Sequence, residues 1–240
     1  MILPYQSGSS TLGGEKYNEL IRDNEAGAEI CKMWKFAVFE PGIVLEGGSI
    51  DMNGKGSCLT TRQCLLNKNR NPELSIKQIE NKLRDYLGVT NPIWLGEGIV
   101  GDDTDGHVDD IARFVNETTV LCMVEEDQSD ENHAVLKRNH DLLKESKDQD
   151  GKLLEVITVD MPSKVEIEGA RLPASYANFY IGNSAVLVPV FGDGRNDEKA
   201  ISKISDTFHG RKIVRINCRE LVYGFGGIHC VTQQQPSTRD

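Results

Sequence analysis

Three short stretches of the chain hold residue types that could do chemistry. In Gly224-Phe225-Gly226-Gly227-Ile228-His229-Cys230 the glycines let the backbone thread closely past a ligand and present a cysteine. A thiol becomes a useful nucleophile when neighbouring positive charge favours its thiolate. His229 adjoins Cys230, but neighbours on a strand face opposite sides, so His229 reads as a structural residue and not as the base. The second stretch, Gly101-Asp102-Asp103-Thr104-Asp105-Gly106-His107-Val108-Asp109-Asp110, has the acids and glycine of a calcium loop. With Gly106 at the sixth loop position, the first and twelfth fall on Gly101 and Ala112, and neither offers a carboxylate, so calcium is excluded. What remains is His107 and Asp109, two residues apart and therefore on one face of an extended strand. That sets a proton-transfer group beside a carboxylate able to bind a cation, although such a pair also has a purely structural reading. The third stretch is Leu45-Glu46-Gly47-Gly48-Ser49. An acid at the end of an apolar strand, followed by two glycines, puts a carboxylate where the backbone turns and another group can approach closely. A solvated turn acid would look the same.

The elements that must position these residues repeat. Gly54-Lys55-Gly56 opens a strand over 57–61, a polar stretch follows, and Ile76, Ile79, Leu83, Tyr86 and Leu87 mark the buried face of a helix over 75–87. The same signals return at Asn116, with a strand over 119–124 and a helix over 134–144. They return again at Gly182, with a strand over 185–190 and a helix over 198–208. A unit of about 65 residues combining strands and a helix suggests a closed or propeller-like α/β assembly, with an open α/β sheet as the alternative. Upstream, the Gly/Ser-rich first fifteen residues read as loop, 16–34 as helix, and 36–50 as short apolar strands.

Composition narrows the partners. Thirty-seven acidic against twenty-seven basic side chains leave a formal charge of −10, which disfavours nucleic acid and anionic membrane, since both demand clustered Lys and Arg. The same balance suits a small cationic substrate, or simply a soluble surface. The six cysteines have no C-x-x-C spacing, so zinc ribbons and thioredoxin-like pairs are excluded, and in a chain this long free thiols in a reducing, cytoplasmic setting are expected. Five of the six read as core. The first residues, Met1-Ile2-Leu3-Pro4-Tyr5, lack a basic region before an apolar run and do not read as a signal peptide, and no apolar run is long enough to span a membrane.

Taken together, the motifs resemble the agmatine deiminases of the guanidino-group-modifying, or pentein, superfamily. The resemblance runs from Gly13 to Pro236. Its blocks are Leu45-Glu46-Gly47-Gly48-Ser49-Ile50, Cys64-Leu65-Leu66-Asn67-Lys68-Asn69-Arg70-Asn71-Pro72, Ile93-Trp94-Leu95-Gly96, Gly106-His107-Val108-Asp109, Ala174-Ser175-Tyr176-Ala177-Asn178-Phe179-Tyr180 and Ile228-His229-Cys230-Val231-Thr232-Gln233-Gln234-Gln235-Pro236. It implies an α/β propeller of similar units around a central site, here one catalytic domain over 1–240 that is incomplete at the N-terminus. It also implies Cys230 as nucleophile, His107 as general acid/base, Glu46 as the carboxylate that orients and charges His107, and Asp109 as the guanidinium-binding acid with paired hydrogen bonds. The implied reaction converts agmatine to N-carbamoylputrescine and ammonia, as in putrescine and polyamine biosynthesis, without metal or organic cofactor, in an enzyme that is commonly a dimer. The family includes peptidyl-arginine deiminases, which leaves the substrate open. Three departures stand out. The family's further aspartate, in a Trp-x-Arg-Asp-x-Gly-Pro-like segment, has no counterpart before Glu46. Phe225-Gly226-Gly227 also takes the place of Gly-Gly-Asn, and Leu12 that of a tryptophan. A fragment impaired in catalysis, acting only by binding or dimerising, is therefore the competing expectation.

Overall fold

The computed structural model describes residues 23–235. The expected N-terminal loop, the first turns of the 16–34 helix, and Leu12 lie outside the described residues. The described part of that helix is α1, Asp23–Trp34.

From Ile50 onward the chain builds one unit three times. In the first, β1 (Ile50–Met52) pairs antiparallel with β2 (Ser57–Thr61), and the short α2 (Arg62–Leu65) and the longer α3 (Ile76–Leu87) carry the chain across to β3 (Asn91–Leu95), parallel to β2. The second unit repeats this with β4 (Ala112–Phe114), β5 (Thr119–Val124), α4 (His133–Glu145) and β6 (Glu155–Asp160). A small hairpin, β7 (Glu166–Ile167) and β8 (Ala170–Arg171), precedes the third, made of β9 (Tyr180–Ile181), β10 (Ala185–Val190), α5 (Gly194–Thr207) and β11 (Lys212–Asn217). Each sheet thus has its middle strand antiparallel to the first and parallel to the last. This is the pentein-type α/β arrangement, with three ββαβ units among the described residues.

The repeat is legible because each strand and helix obeys its own local rules. α3 starts at Ser75, whose side chain and that of Gln78 cap each other's backbone, and it stops at Gly88, which adopts the left-handed conformation that glycine tolerates. Ile79 and Leu83 on its inner face are fully buried with Cys58, Cys64 and Leu65 in the core of the first unit. Strand β5 is buried along nearly its whole length, as a middle strand covered by a helix must be. It joins a larger core shared by all three units, including Leu59, Leu95, Leu121, Met123, Phe179, Val186 and Ile204.

One buried side chain ties the three units together. The Arg113 guanidinium from β4 donates to Asp51 of β1 at 2.7 Å and to the carbonyls of Ala177 and Phe179 at 3.2 and 2.8 Å, and stacks over the Phe179 ring. Asp51 also accepts from the Phe114 backbone at 2.6 Å, so its carboxylate is satisfied on both oxygens.

Several expected elements differ. Residues 36–49 form no named strand. Glu46 is extended but leads into a single 3-10 turn, Gly47–Ser49, because the Ser49 backbone and hydroxyl both donate back to the Glu46 carbonyl. The helix expected to begin at 198 begins at Gly194. The strand expected at His107 and Asp109 is a 3-10 turn, Val108–Asp110, and a third such turn, His229–Val231, replaces the strand expected around Cys230.

Candidate active site

The 3-10 turns at 47–49, 108–110 and 229–231 come together on one side of the units, and with them the side chains singled out from sequence. The Cys230 sulfur lies 3.6 Å from Asp109 Oδ2. Asp109 Oδ1 is 4.0 Å from His107 Nδ1, and His107 Nε2 is 3.8 Å from Glu46 Oε1. Glu46, His107, Asp109 and Cys230 therefore form one continuous chain of functional groups, although the turn geometry that achieves it is not the strand geometry expected.

Each member is held by neighbours that the motifs did not single out. Arg70, its side chain sealed from solvent, grips both Glu46 oxygens with Nε at 2.8 and 3.0 Å. Its other nitrogens reach Asp105 at 2.9 Å and the Thr104 carbonyl at 2.6 Å. The acids once suggestive of calcium shape the loop instead. Asp102 accepts from the Thr104 hydroxyl and backbone with one oxygen, and from the backbone N–H groups of Gly106 and His107 with the other. His107 is thereby presented from a loop braced by Asp102 and tied through Asp105 to the arginine that holds Glu46.

Gly48 is where the two halves touch. A Cβ there would sit 2.5 Å from His107 Nδ1 and 2.7 Å from Asp109 Oδ2, so only a residue without one lets the Glu46 turn close against the pair.

The electrostatics follow from burial and neighbours. Burial works against a charged His107, but Cys64, Glu46 and Asp109 outweigh it and hold the ring's pKa well above the ordinary value. Burial also raises the Cys64 thiol, so near neutral pH that group is uncharged and the two carboxylates supply the negative charge. Burial raises Glu46 as well, yet His107 and Arg70 prevail and keep it below the usual carboxyl range. Asp110, buried beside Asp109 and near Asp102, is pushed well above that range, whereas His229, His107 and Arg113 hold Asp109 below it against the same burial.

Two expectations are corrected here. His229 is not remote from the chemistry on the far face of a strand. Its Nδ1 lies 2.7 Å from Asp109 Oδ2, where it fixes that carboxylate. Only Asp109 Oδ1 remains open, buried and without a hydrogen-bond partner among the described residues, as is His107 Nε2. Asp109 thus offers one oxygen rather than a pair. The second correction concerns charge: burial and then the Asp109 and Asp110 carboxylates raise the Cys230 thiol, so no positive neighbour favours its thiolate before a ligand arrives. Cys230 is the exposed member of the six cysteines, and the other five are buried, as expected of core residues.

Glu46, Cys64 and His107 also bring ligand atoms within 4.8 Å of one another. They could close on a soft cation only by drawing Glu46 away from Arg70.

Arg70 and Asn178 are the functional neighbours missed from sequence. Both stood inside blocks that carry the resemblance, and a buried polar residue in an otherwise apolar stretch such as 174–179 was the available signal.

A repeated ββαβ unit whose turns gather a cysteine, a histidine and carboxylates defines a pentein-type α/β protein. The chain belongs to the Porphyromonas-type peptidyl-arginine deiminase family, which it matches over residues 11–236. It is 43% identical over 235 residues to the agmatine deiminase of Medicago truncatula, covering 90% of this chain and 63% of that protein. A Legionella pneumophila relative is 42% identical over 225 residues, covering 94% of this chain and 65% of that one. The chain therefore spans a little under two thirds of the length of these curated relatives. Among solved structures, the agmatine deiminase of Enterococcus faecalis superposes with a TM-score of 0.89 at 34% identity, over 98% of this chain and 69% of that one. A C. jejuni agmatine deiminase with substrate bound gives 0.84 at 32% identity, over 96% and 66%.

Proposed function

We propose that this site hydrolyses the guanidinium group of agmatine to N-carbamoylputrescine and ammonia, with Cys230 as nucleophile, His107 as general acid/base, Glu46 as the carboxylate that keeps His107 charged, and Asp109 as the acid that receives the substrate. The observation that carries the reading is the open Asp109 Oδ1. A buried carboxylate with one partnerless oxygen, and its other oxygen 3.6 Å from a thiol, calls for a cation with an electrophilic carbon. A guanidinium meets both demands, and the names of the relatives point the same way.

When the cation docks on Asp109, it supplies the positive charge that the side chains around Cys230 do not, and the Cys230 proton is lost to solvent. The thiolate then attacks the guanidinium carbon, a C–N bond breaks, and ammonia leaves with the His107 proton. A water next gives a proton to the now neutral His107 and attacks the amidino-thioether carbon. The C–S bond breaks, the thiolate returns, and the carbon leaves as a urea, its hydroxyl proton passing to solvent. Two easier steps replace one difficult hydrolysis.

The test is formation of carbamoylputrescine from agmatine, set against citrulline formation in an arginine-containing peptide, with Cys230→Ser as control. A haloacetamidine probe should label Cys230 first and agmatine should protect it. Labelling of Cys58 or Cys218 in its place would sink the assignment, and turnover of the peptide alone would move the substrate.

A further inference from the structure

The Cys230 loop is fastened by one carboxamide that the reaction scheme does not use. Asn178 lies in the buried segment between the second and third units, 1% exposed. Its Oδ1 accepts from the backbone N–H of His229 at 2.8 Å and, more weakly, from that of Cys230 at 3.4 Å. Its own carbonyl accepts from the His229 N–H at 3.1 Å. These donors fix which end of the carboxamide is oxygen, because a flipped amide would set N–H against N–H. Nδ2 therefore faces the other way, towards Asp110 Oδ1 at 2.9 Å, Asp109 Oδ2 at 3.2 Å and Cys230 Sγ at 3.2 Å.

An amide has two N–H groups, and here three acceptors surround them. Asp109 Oδ2 already receives His229 Nδ1 at 2.7 Å, so it is the acceptor that can best do without the amide. One N–H then serves Asp110, and the other is left for sulfur. We propose that Asn178 is a catalytic residue in this site: its Oδ1 clasps the backbone that presents Cys230, and its Nδ2 donates to the Cys230 thiolate. The proposal rests on Cys230 being the reacting thiol. The need for such a donor is plain in the surroundings. Asp109 lies against the sulfur at 3.6 Å, and His107 and His229 are each turned to Asp109, so without Asn178 the polar side chain shown directly against Sγ is a carboxylate.

Gly227, whose backbone also bonds the Cys230 thiol, gives a second handle. A Cβ on it would fall 2.4 Å from Asn178 Oδ1 and 2.8 Å from its Cγ, and its backbone is not left-handed, so alanine there displaces the carboxamide without removing it. The experiment follows iodoacetamide alkylation of Cys230, located by peptide mapping, across pH in the parent chain, Asn178→Ala, Asn178→Asp and Gly227→Ala, each matched by far-ultraviolet circular dichroism. Losing a hydrogen bond to a charged group should slow alkylation at neutral pH by roughly tenfold or more and move its midpoint up by about one unit or more. Asn178→Asp, which keeps the oxygen but replaces the donor with a third carboxylate, should be the slowest. If Cys230 reacts normally in the parent and all folded variants keep the parental profile while only their melting temperatures fall, Asn178 is a packing residue and the proposal is wrong. If Cys230 of the parent is itself not the reactive thiol, it is the functional reading that fails.

Discussion

Gly48→Ala tests how closely the two halves of the site are fitted. The new methyl would meet His107 Nδ1 at 2.5 Å, Asp109 Oδ2 at 2.7 Å and Asp109 Cγ at 2.9 Å. Ordinary contact distance is about 3.5 Å, so something must retreat by roughly 1 Å. None of the neighbours is free to do so. Asp109 is pinned by His229, His107 hangs from Asp102, and Ser49 is bonded through its hydroxyl to the Glu46 carbonyl and through its own carbonyl to Thr60. The backbone of Gly48 is not left-handed, so any effect comes from this collision. Overpacking of this kind costs about 1–3 kcal/mol, which in a chain of this size lowers the melting temperature by roughly 2–12 °C. A shift of about 1 Å in a positioned group also costs on the order of a hundredfold in rate. Gly47→Ala is the control, because its Cβ would meet only Gln233 Oε1 at an ordinary 3.6 Å. Thermal unfolding and the rate of haloacetamidine labelling of Cys230, with and without agmatine, should separate the two variants. If Gly48→Ala matches Gly47→Ala in both, the close approach argued here does not exist in solution.

Three further outcomes follow from buried charges. Arg113→Met leaves Asp51 buried without its partner and should lower the urea-derived stability by about 3–5 kcal/mol, and a loss below about 1 kcal/mol would mean that the three-way tie is not structural. Glu46→Gln removes a carboxylate that holds the His107 proton, so the imidazole titration followed by NMR should move down. Because the folded-state value is raised, the associated stability is present below about pH 6.5, the ordinary histidine value, and is lost as pH climbs through the folded-state titration. An unchanged His107 titration in the variant would contradict this. Asp110 is also raised, so its ionisation works against the fold above about pH 4, the ordinary carboxyl value. Asp110→Asn should be more stable than the parent at neutral pH, with the advantage vanishing in acid, and a pH-independent difference would refute the assignment.

The parts of the fold governed by local rules were legible, and those governed by neighbours were not. The strands 119–124 and 185–190 and the helix capped at Ser75 follow from apolar pattern and capping chemistry, and appear where expected. The turns at 47–49, 108–110 and 229–231 do not, because one turn of 3-10 helix has no periodicity to read. What makes it is a contact: Ser49 reaching back to Glu46, or Asn178 taking the His229 N–H. The four candidate residues were found from type and resemblance, yet the geometry inferred for them from strand alternation was wrong. Asp102 was weighed only as a calcium ligand, and its role as a loop brace depends on backbone N–H groups that a sequence does not display.

The repeat explains why these particular positions meet. In each unit the site residues lie within a few positions before the first strand: Glu46 and Gly48 before β1, His107, Asp109 and Asp110 before β4, and Asn178 before β9. A first strand that pairs antiparallel with a buried middle strand fixes the direction from which its preceding turn enters, so three similar units deliver three turns to one place. Arg113 and Asp51, on the first strands themselves, bind those entries to each other and to the carbonyls flanking Asn178. The cysteine alone arrives differently, on a turn after the last strand. It therefore needs a fastening that the repeat does not provide, and the carboxamide of Asn178, just before the first strand of the third unit, stands where one side chain can supply it.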